Sequence, residues 1–335
     1  LAVLARERVA GADPAEWYGV TAPSTSMPLR DLLAQGARVS PSRMESFEEC
    51  GLNWAISALG GDSVRPPTAG IGTIIHEAME QVPGGELARL RAVLAEHWPE
   101  LDFETAWIGR KERRKADVFI DRLHAYLTQV AADGGRVVES EAEFRFAVTL
   151  GDEPDSGSDA ADTAVPPRVV PVDAAGDHPH ALITGYIDRV EVYPAGAGEH
   201  APARARGWQA MDGDGEHVVV VDLKTGKRDK ESDDGVADHA QLAAYQIAVQ
   251  EGLVAGAPAD ELGGARLVIV SKTLAGSDFR VAHQHPLDDD ARLVFLRRVA
   301  DAARGMSSGT FTAQVEAHCA DTQRGINPCR IHTVP

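Results

Sequence analysis

Basic residues are in short supply. Against 51 aspartates and glutamates stand 33 lysines and arginines, a formal net charge of −18. A protein that coats nucleic acid non-specifically uses a basic surface, so the balance argues against that class. The shortage is not uniform. Arg110-Lys111-Glu112-Arg113-Arg114-Lys115 concentrates cations on a helix-like segment, and Arg297-Arg298 lie on another. The first block reads either as a solvated helix face or as one that meets phosphates, and a bound metal would reverse the local field elsewhere. Long apolar runs are missing too: none approaches the roughly 18–20 residues of a membrane span, and no secretory signal is present. Three cysteines, Cys50, Cys319 and Cys329, are too few for a disulfide framework, so a cytoplasmic setting is expected. There are no internal repeats and no nucleotide-binding P-loop. The first residue is Leu rather than Met, and the chain reads as a piece of a longer polypeptide.

What is present is ample material for a core: 335 residues, 44% hydrophobic and 25% charged. Residues 1–38 read as a tether, polar and broken by Pro14 and Gly19, and residues 39–335 as one domain. Ser40 suits a helix N-cap and Pro41 the first helical position, with Met44, Phe47 and residues 50–59 continuing an apolar stripe. Further helices are expected around Gly72–Met79, 84–97 and 103–132. Strands are expected over 137–148, 181–192, 217–224 and 266–272, with helices over 237–252 and 288–305. Segments 151–180 and 194–216, rich in Gly, Ala, Pro and Asp, read as flexible insertions. This order predicts an α/β or α+β domain: a central mixed sheet flanked by helices, with a helical lobe at its start.

The chemistry is concentrated at Val219-Val220-Val221-Asp222-Leu223-Lys224-Thr225-Gly226. In a strand, residues two apart share a face, so Asp222 and Lys224 project together while Leu223 points away. Either this pair faces solvent or, as the valines imply, it is buried, and a buried carboxylate needs a partner. Asp188 follows Tyr186-Ile187 in another apolar strand and could instead pair with Arg189. His76 lies on an apolar helix face one turn after Gly72, where a satisfied core histidine is the bland alternative. Gln241 and Tyr245 are one turn apart on a helix. Two strand-borne acids and an imidazole make a site for Mg²⁺ or Mn²⁺, which would activate water against a phosphate. Lys224 would then orient the attacking water or stabilise charge developing on phosphate oxygens, while Gln241 and Tyr245 brace the lysine and metal ligands or contact DNA.

The set Ser40-Pro41-Ser42-Arg43, Gly72-x-x-x-His76, Gly185-Tyr186-Ile187-Asp188-Arg189, Val221 to Gly226 and Gln241-x-x-x-Tyr245 resembles the RecB-type nucleases of the PD-(D/E)xK superfamily, over roughly 40–335. The resemblance implies a restriction-endonuclease-like fold and metal-dependent cleavage of DNA. His76, Asp188, Asp222 and the Leu223 backbone carbonyl would be metal ligands, and Lys224, Asp222 and Asp188 the catalytic set. More narrowly, Asp13-Pro14-Ala15-Glu16-Trp17-Tyr18-Gly19 with Ser24-Thr25 is similar to the C-terminal part of actinobacterial AdnA/AdnB-like helicase–nuclease subunits. That implies a helicase motor before residue 1, a second subunit in a heterodimer, and single strands from an unwound duplex end as substrate, in resection of double-strand breaks. Many relatives hold an iron–sulfur cluster with four cysteines. Here Cys50, Cys319, Cys329 and His332 (or His318) offer a cluster or a zinc site instead, unless the cysteines are simply unrelated reduced thiols. Two other functions fit the same residues: a catalytically silent module of this fold that binds single-stranded DNA, and a metal hydrolase of small phosphoesters.

Overall fold

The computed structural model describes residues 2–13, 27–60, 68–152, 165–197, 205–206, 215–226, 232–272 and 278–313. Cys319, Cys329, His332 and His318 lie outside the described residues, as do 14–26 of the expected tether and much of both expected insertions.

A short helix, α1 (Ala2–Arg6), and a two-residue strand, β1 (Ala37–Arg38), come first. Helices α2 (Pro41–Glu49) and α3 (Gly51–Ala58) follow, where the sequence suggested one continuous stripe. Cys50 separates them in an extended conformation, and its amide closes the end of α2 on the Ser46 carbonyl. Three helices then form a lobe: α4 (Thr68–Gln81), α5 (Leu87–His97) and α6 (Ala106–Ala132). Next come β2 (Arg136–Thr149), β3 (Arg168–Val170), β4 (His180–Tyr193), β5 (Ala205–Arg206) and β6 (His217–Lys224). The chain continues through α7 (Asp233–Val236), α8 (Ala240–Gln250), β7 (Leu262–Ile269), β8 (Phe279–Gln284) and α9 (Asp289–Ser307). Parts of the expected insertions thus carry strands. β3 pairs with β2, and β5 runs parallel to β8 at the far edge.

Among the described residues, eight strands make one mixed sheet in the order β3-β2-β4-β6-β7-β8-β5, with β1 set against β4 beside that path. β4 is antiparallel to β2 and β6, while β6 and β7 are parallel and joined through α8. This is the mixed sheet flanked by helices that the sequence predicts. The pleat sends alternate residues to opposite cores. Val218 and Val220 face the layer of α2, α8 and α9. Val219, Val221 and Leu223 face the α4–α6 lobe. β1, in the segment read as a tether, is part of the domain edge: Ala37 and Arg38 pair in parallel with Ala181 and Leu182. β6 takes up the same side of β4 only from Arg189 onward, where Arg189 pairs with Val221. Asp188 and Asp222 follow immediately after that last pair, where the two strands part.

A buried polar seam fixes this point. Glu191, fully buried, accepts from Tyr126 Oη (2.9 Å), Tyr193 Oη (2.6 Å) and Arg189 Nε (2.6 Å). Arg266 Nη1 donates to Tyr193 Oη at 2.8 Å, and Arg189 Nη2 donates to the Pro83 carbonyl at 3.2 Å. Arg189 is therefore the ion-pair partner of Glu191 rather than of Asp188, and it ties the lobe to the strand that carries the acid.

Candidate metal centre

The pleat places Asp222 and Lys224 on the α8 face of β6 and Leu223 on the lobe face, as alternation requires. Lys224 Nζ lies 2.7 Å from Asp222 Oδ2 and donates to Gln241 Oε1 at 2.8 Å. Gln241 Nε2 in turn lies 2.6 Å from Tyr245 Oη, so both side chains of that helical turn serve the lysine. Behind them, Phe144 packs edge-on against Tyr245, with ring centroids 5.7 Å apart. The Phe144 ring fills the space over Gly185, where an added Cβ would come within 2.9 Å of it. Gly185 thus fixes the lysine through Phe144, Tyr245 and Gln241.

Asp188 reaches the same end of the sheet from β4. Its Oδ2 accepts the Leu223 amide at 2.7 Å and lies 3.3 Å from His76 Nδ1. The spacing Gly72-x-x-x-His76 has a steric reason. Ile71, Ile74, Ile75, Ala78 and Met79 bury one stripe of α4 in the lobe. On the flank, a Cβ at Gly72 would come within 2.7 Å of Thr225 Oγ1. Glycine lets the helix close on the residue after Lys224, and one turn later His76 meets Asp188.

A fourth group was not foreseen. His76, Glu141 and Asp188 each offer one ligand atom, all within 4.8 Å of one another. Glu141 lies in β2 at φ 50°, the left-handed region that a side-chain-bearing residue adopts at a cost. Its strand registers out of step just before it, between Val137 and Glu139. Sequence alternation marks 137–148 as a strand but carries no sign of this local twist. Asp222 stands outside the three-atom group, yet its charge acts on His76 and is itself acted on by Asp188.

The electrostatics are those of crowded, desolvated acids. Burial pushes Asp222 up to about 6, and the Asp188 charge adds to this while Lys224 and His76 oppose it. Glu141 is raised by burial and then by Asp188. For His76, burial works downward, but its hydrogen bond to Asp188 and the charges of Asp188, Asp222 and Glu141 prevail and raise it. Tyr245 is held well above its ordinary value by burial and the two aspartates, so it stays a neutral phenol. Acids whose proton affinity rises through desolvation and a neighbouring carboxylate, as for Asp222 and Glu141, suit a cation, and two carboxylates with an imidazole suit a hard or borderline divalent one. Among the described cysteines, Cys50 is buried with a free thiol. The Leu52 amide donates to the Thr312 carbonyl at 3.1 Å, so the chain leaving α9 passes beside Cys50.

A family model described as the PD-(D/E)XK nuclease superfamily matches residues 38–201 and 210–325. A search of curated proteins finds no match.

Proposed function

The chain belongs to the PD-(D/E)XK nuclease superfamily, and from that premise we propose that it is a divalent-metal-dependent deoxyribonuclease that hydrolyses phosphodiester bonds in unwound single strands. The observation that carries this reading is the convergence of His76, Asp188 and Glu141 beside the Asp222–Lys224 pair, from one helix and three strands. In the proposal, His76, Asp188, Asp222 and the Leu223 carbonyl hold Mg²⁺ or Mn²⁺, with Glu141 added to the set. When bound, the cation supplies Lewis acidity toward a phosphate oxygen and eases deprotonation of water. Lys224, aimed by Gln241 Oε1, places a positive charge where negative charge grows on the phosphate. Tyr245 keeps its proton and orients the Gln241 amide, which fixes which end of that amide the lysine meets. Asp188 takes the Leu223 amide, and this sets the direction of the neighbouring carbonyl.

The biological setting belongs to the same proposal: the nuclease module of an ATP-dependent helicase–nuclease that resects double-strand breaks, exonuclease-type, cytoplasmic, and paired with a second subunit. Residues 13–25, similar to AdnA/AdnB-like subunits, support it. No described helix is long and apolar enough to cross a membrane. A metal staple, iron–sulfur or zinc, formed by Cys50 with Cys319, Cys329 and His332, gains support from Thr312 lying against the residues after Cys50. Iron and zinc content of the purified protein tests it, and finding neither rejects it. The nuclease itself is tested by incubating the protein with single- and double-stranded DNA in Mg²⁺, Mn²⁺ or EDTA. Cleavage is expected only with metal, and lost in Asp222→Ala. Binding of DNA without cleavage under any of these conditions would instead favour a silent module.

A further inference from the structure

Near the start of β4, before the strand reaches the metal centre, three arginines line a cavity of about 300 Å³. Arg38 comes from β1, Arg43 from the first turn of α2, and Arg30 from the segment that lies across the end of α9. Trp54, Met306 and Ser307 contribute to its walls, and no carboxylate among the described residues lines it. In a chain of net charge −18, each arginine has many acids to choose from. Yet among the described residues none of the three guanidinium groups makes an ion pair or a hydrogen bond. Two buried polar groups in the same wall also lack partners: the Ser307 hydroxyl, on a residue only 2% exposed, and the Trp54 indole N–H. Both atoms have almost no accessible surface, so they stand behind the cavity wall, and the groups left to face an occupant are the three guanidiniums. The end of a helix carries partial negative charge, but here the Ser307 carbonyl is already taken by the Leu29 and Arg30 amides, at 2.9 and 3.4 Å.

We propose that this cavity is a phosphate-binding site whose occupant is a backbone phosphate of the DNA strand. The planar forks of three arginines match phosphate oxygens, and no carboxylate of the described lining opposes them. Arg38 pairs with Leu182, and Asp188 lies six residues farther along the same strand, a separation of about 20 Å at roughly 3.3 Å per residue. A stacked single strand covers that in about six nucleotides at 3.4 Å each. The cavity therefore anchors the strand at a distance from the point of cleavage. The choice of DNA over free phosphate rests on the nuclease reading; the phosphate chemistry does not.

The test is metal-free binding of a labelled single-stranded oligonucleotide to the full chain in EDTA, followed by anisotropy across a salt series, for the wild type and for Arg38→Gln/Arg43→Gln. Each lost phosphate contact lowers the slope of log K against log salt by about 0.7 on single strands, so a drop of about 1.4 is expected. Arg38→Lys/Arg43→Lys is expected to restore most of the slope, and all variants to keep the wild-type melting temperature because these side chains are exposed. Inorganic phosphate is the second probe, and competition only at concentrations far above those of the oligonucleotide supports the DNA assignment. An unchanged slope in the glutamine variant overturns the site. Phosphate binding that depends on the arginines, with DNA binding that does not, overturns DNA as the occupant. Failure to cleave in metal would sink the nuclease reading while leaving the slope result standing, so the two failures are distinct.

Discussion

Glu141→Gln separates a metal centre from an ordinary polar cluster, because the two accounts give opposite signs. Without a cation, Glu141 and Asp188 present ligand atoms within 4.8 Å of each other. At an effective dielectric of about 20, two full charges at that distance repel by roughly 3.5 kcal/mol. The His76 charge opposes this repulsion and Glu141 is partly exposed, so the repulsion is discounted to about 1 kcal/mol. Glutamine keeps the shape and the same left-handed backbone, so the conformational cost cancels. The unfolding entropy of 335 residues is about 0.7 kcal/mol per degree at roughly 2.1 cal/mol/K each. In EDTA the variant should therefore melt about 1–2 °C higher than the wild type. With Mn²⁺ at a hundred times the wild-type Kd, the wild type gains about 2.7 kcal/mol, or about 4 °C. A variant that binds tenfold more weakly gains about 1.4 kcal/mol, or about 2 °C. Thermal unfolding of both proteins in EDTA and in Mn²⁺ reads all four values. A variant that melts lower in EDTA, or that keeps the whole metal shift, refutes the reasoning.

Three other outcomes follow from the same geometry. Asp222 is raised to about 6 when folded, so its proton stabilises the folded state most at low pH, and that contribution is lost as pH rises from about 4 through 6. His76 is also raised, and its stabilisation is complete below its unfolded value and lost as pH climbs through the folded one. The metal-free melting temperature of Asp222→Asn should accordingly rise relative to wild type as pH goes from 4 to 7, and parallel profiles would contradict this. Glu191→Ala leaves Arg189 buried and unpaired, which costs about 3–5 kcal/mol, or roughly 4–7 °C by the same entropy; a loss under 1 °C would mean that the seam does not hold the lobe to the sheet. Gly72→Ala pushes α4 away from Thr225 and should weaken Mn²⁺ binding about tenfold with little change in melting temperature. Calorimetric titration decides it, and unchanged affinity would remove the steric reading of the Gly-x-x-x-His spacing.

The parts of this structure that can be read from the chain are those in which one local rule governs one segment. Alternation alone sends Asp222 and Lys224 to one face and Leu223 to the other, and a one-turn spacing alone joins Gln241 to Tyr245. Elements whose logic is tertiary stay hidden. Phe279–Gln284 does not look like a strand because His283 and Gln284 are polar, yet both are buried. Gln284 Nε2 donates to the Val236 carbonyl at 2.9 Å and the Ala237 carbonyl at 3.1 Å, a task visible only once α7 is folded against it. Cys50 breaks what reads as one stripe into α2 and α3 without a proline or a left-handed glycine to announce it. Glu141 is hidden for a third reason. Its side chain reaches the centre only because its backbone leaves the strand conformation, and residue type does not encode that.

Cleavage of single-stranded DNA by the purified chain, compared with Lys224→Ala at matched Mn²⁺ occupancy, tests the central claim most directly. The account predicts metal-dependent strand scission by the wild type and its loss in the variant, with Mn²⁺ affinity kept within a few fold, because the amine meets the phosphate and is not a ligand. Equal cleavage by the two proteins, or none by the wild type at saturating metal, would contradict it.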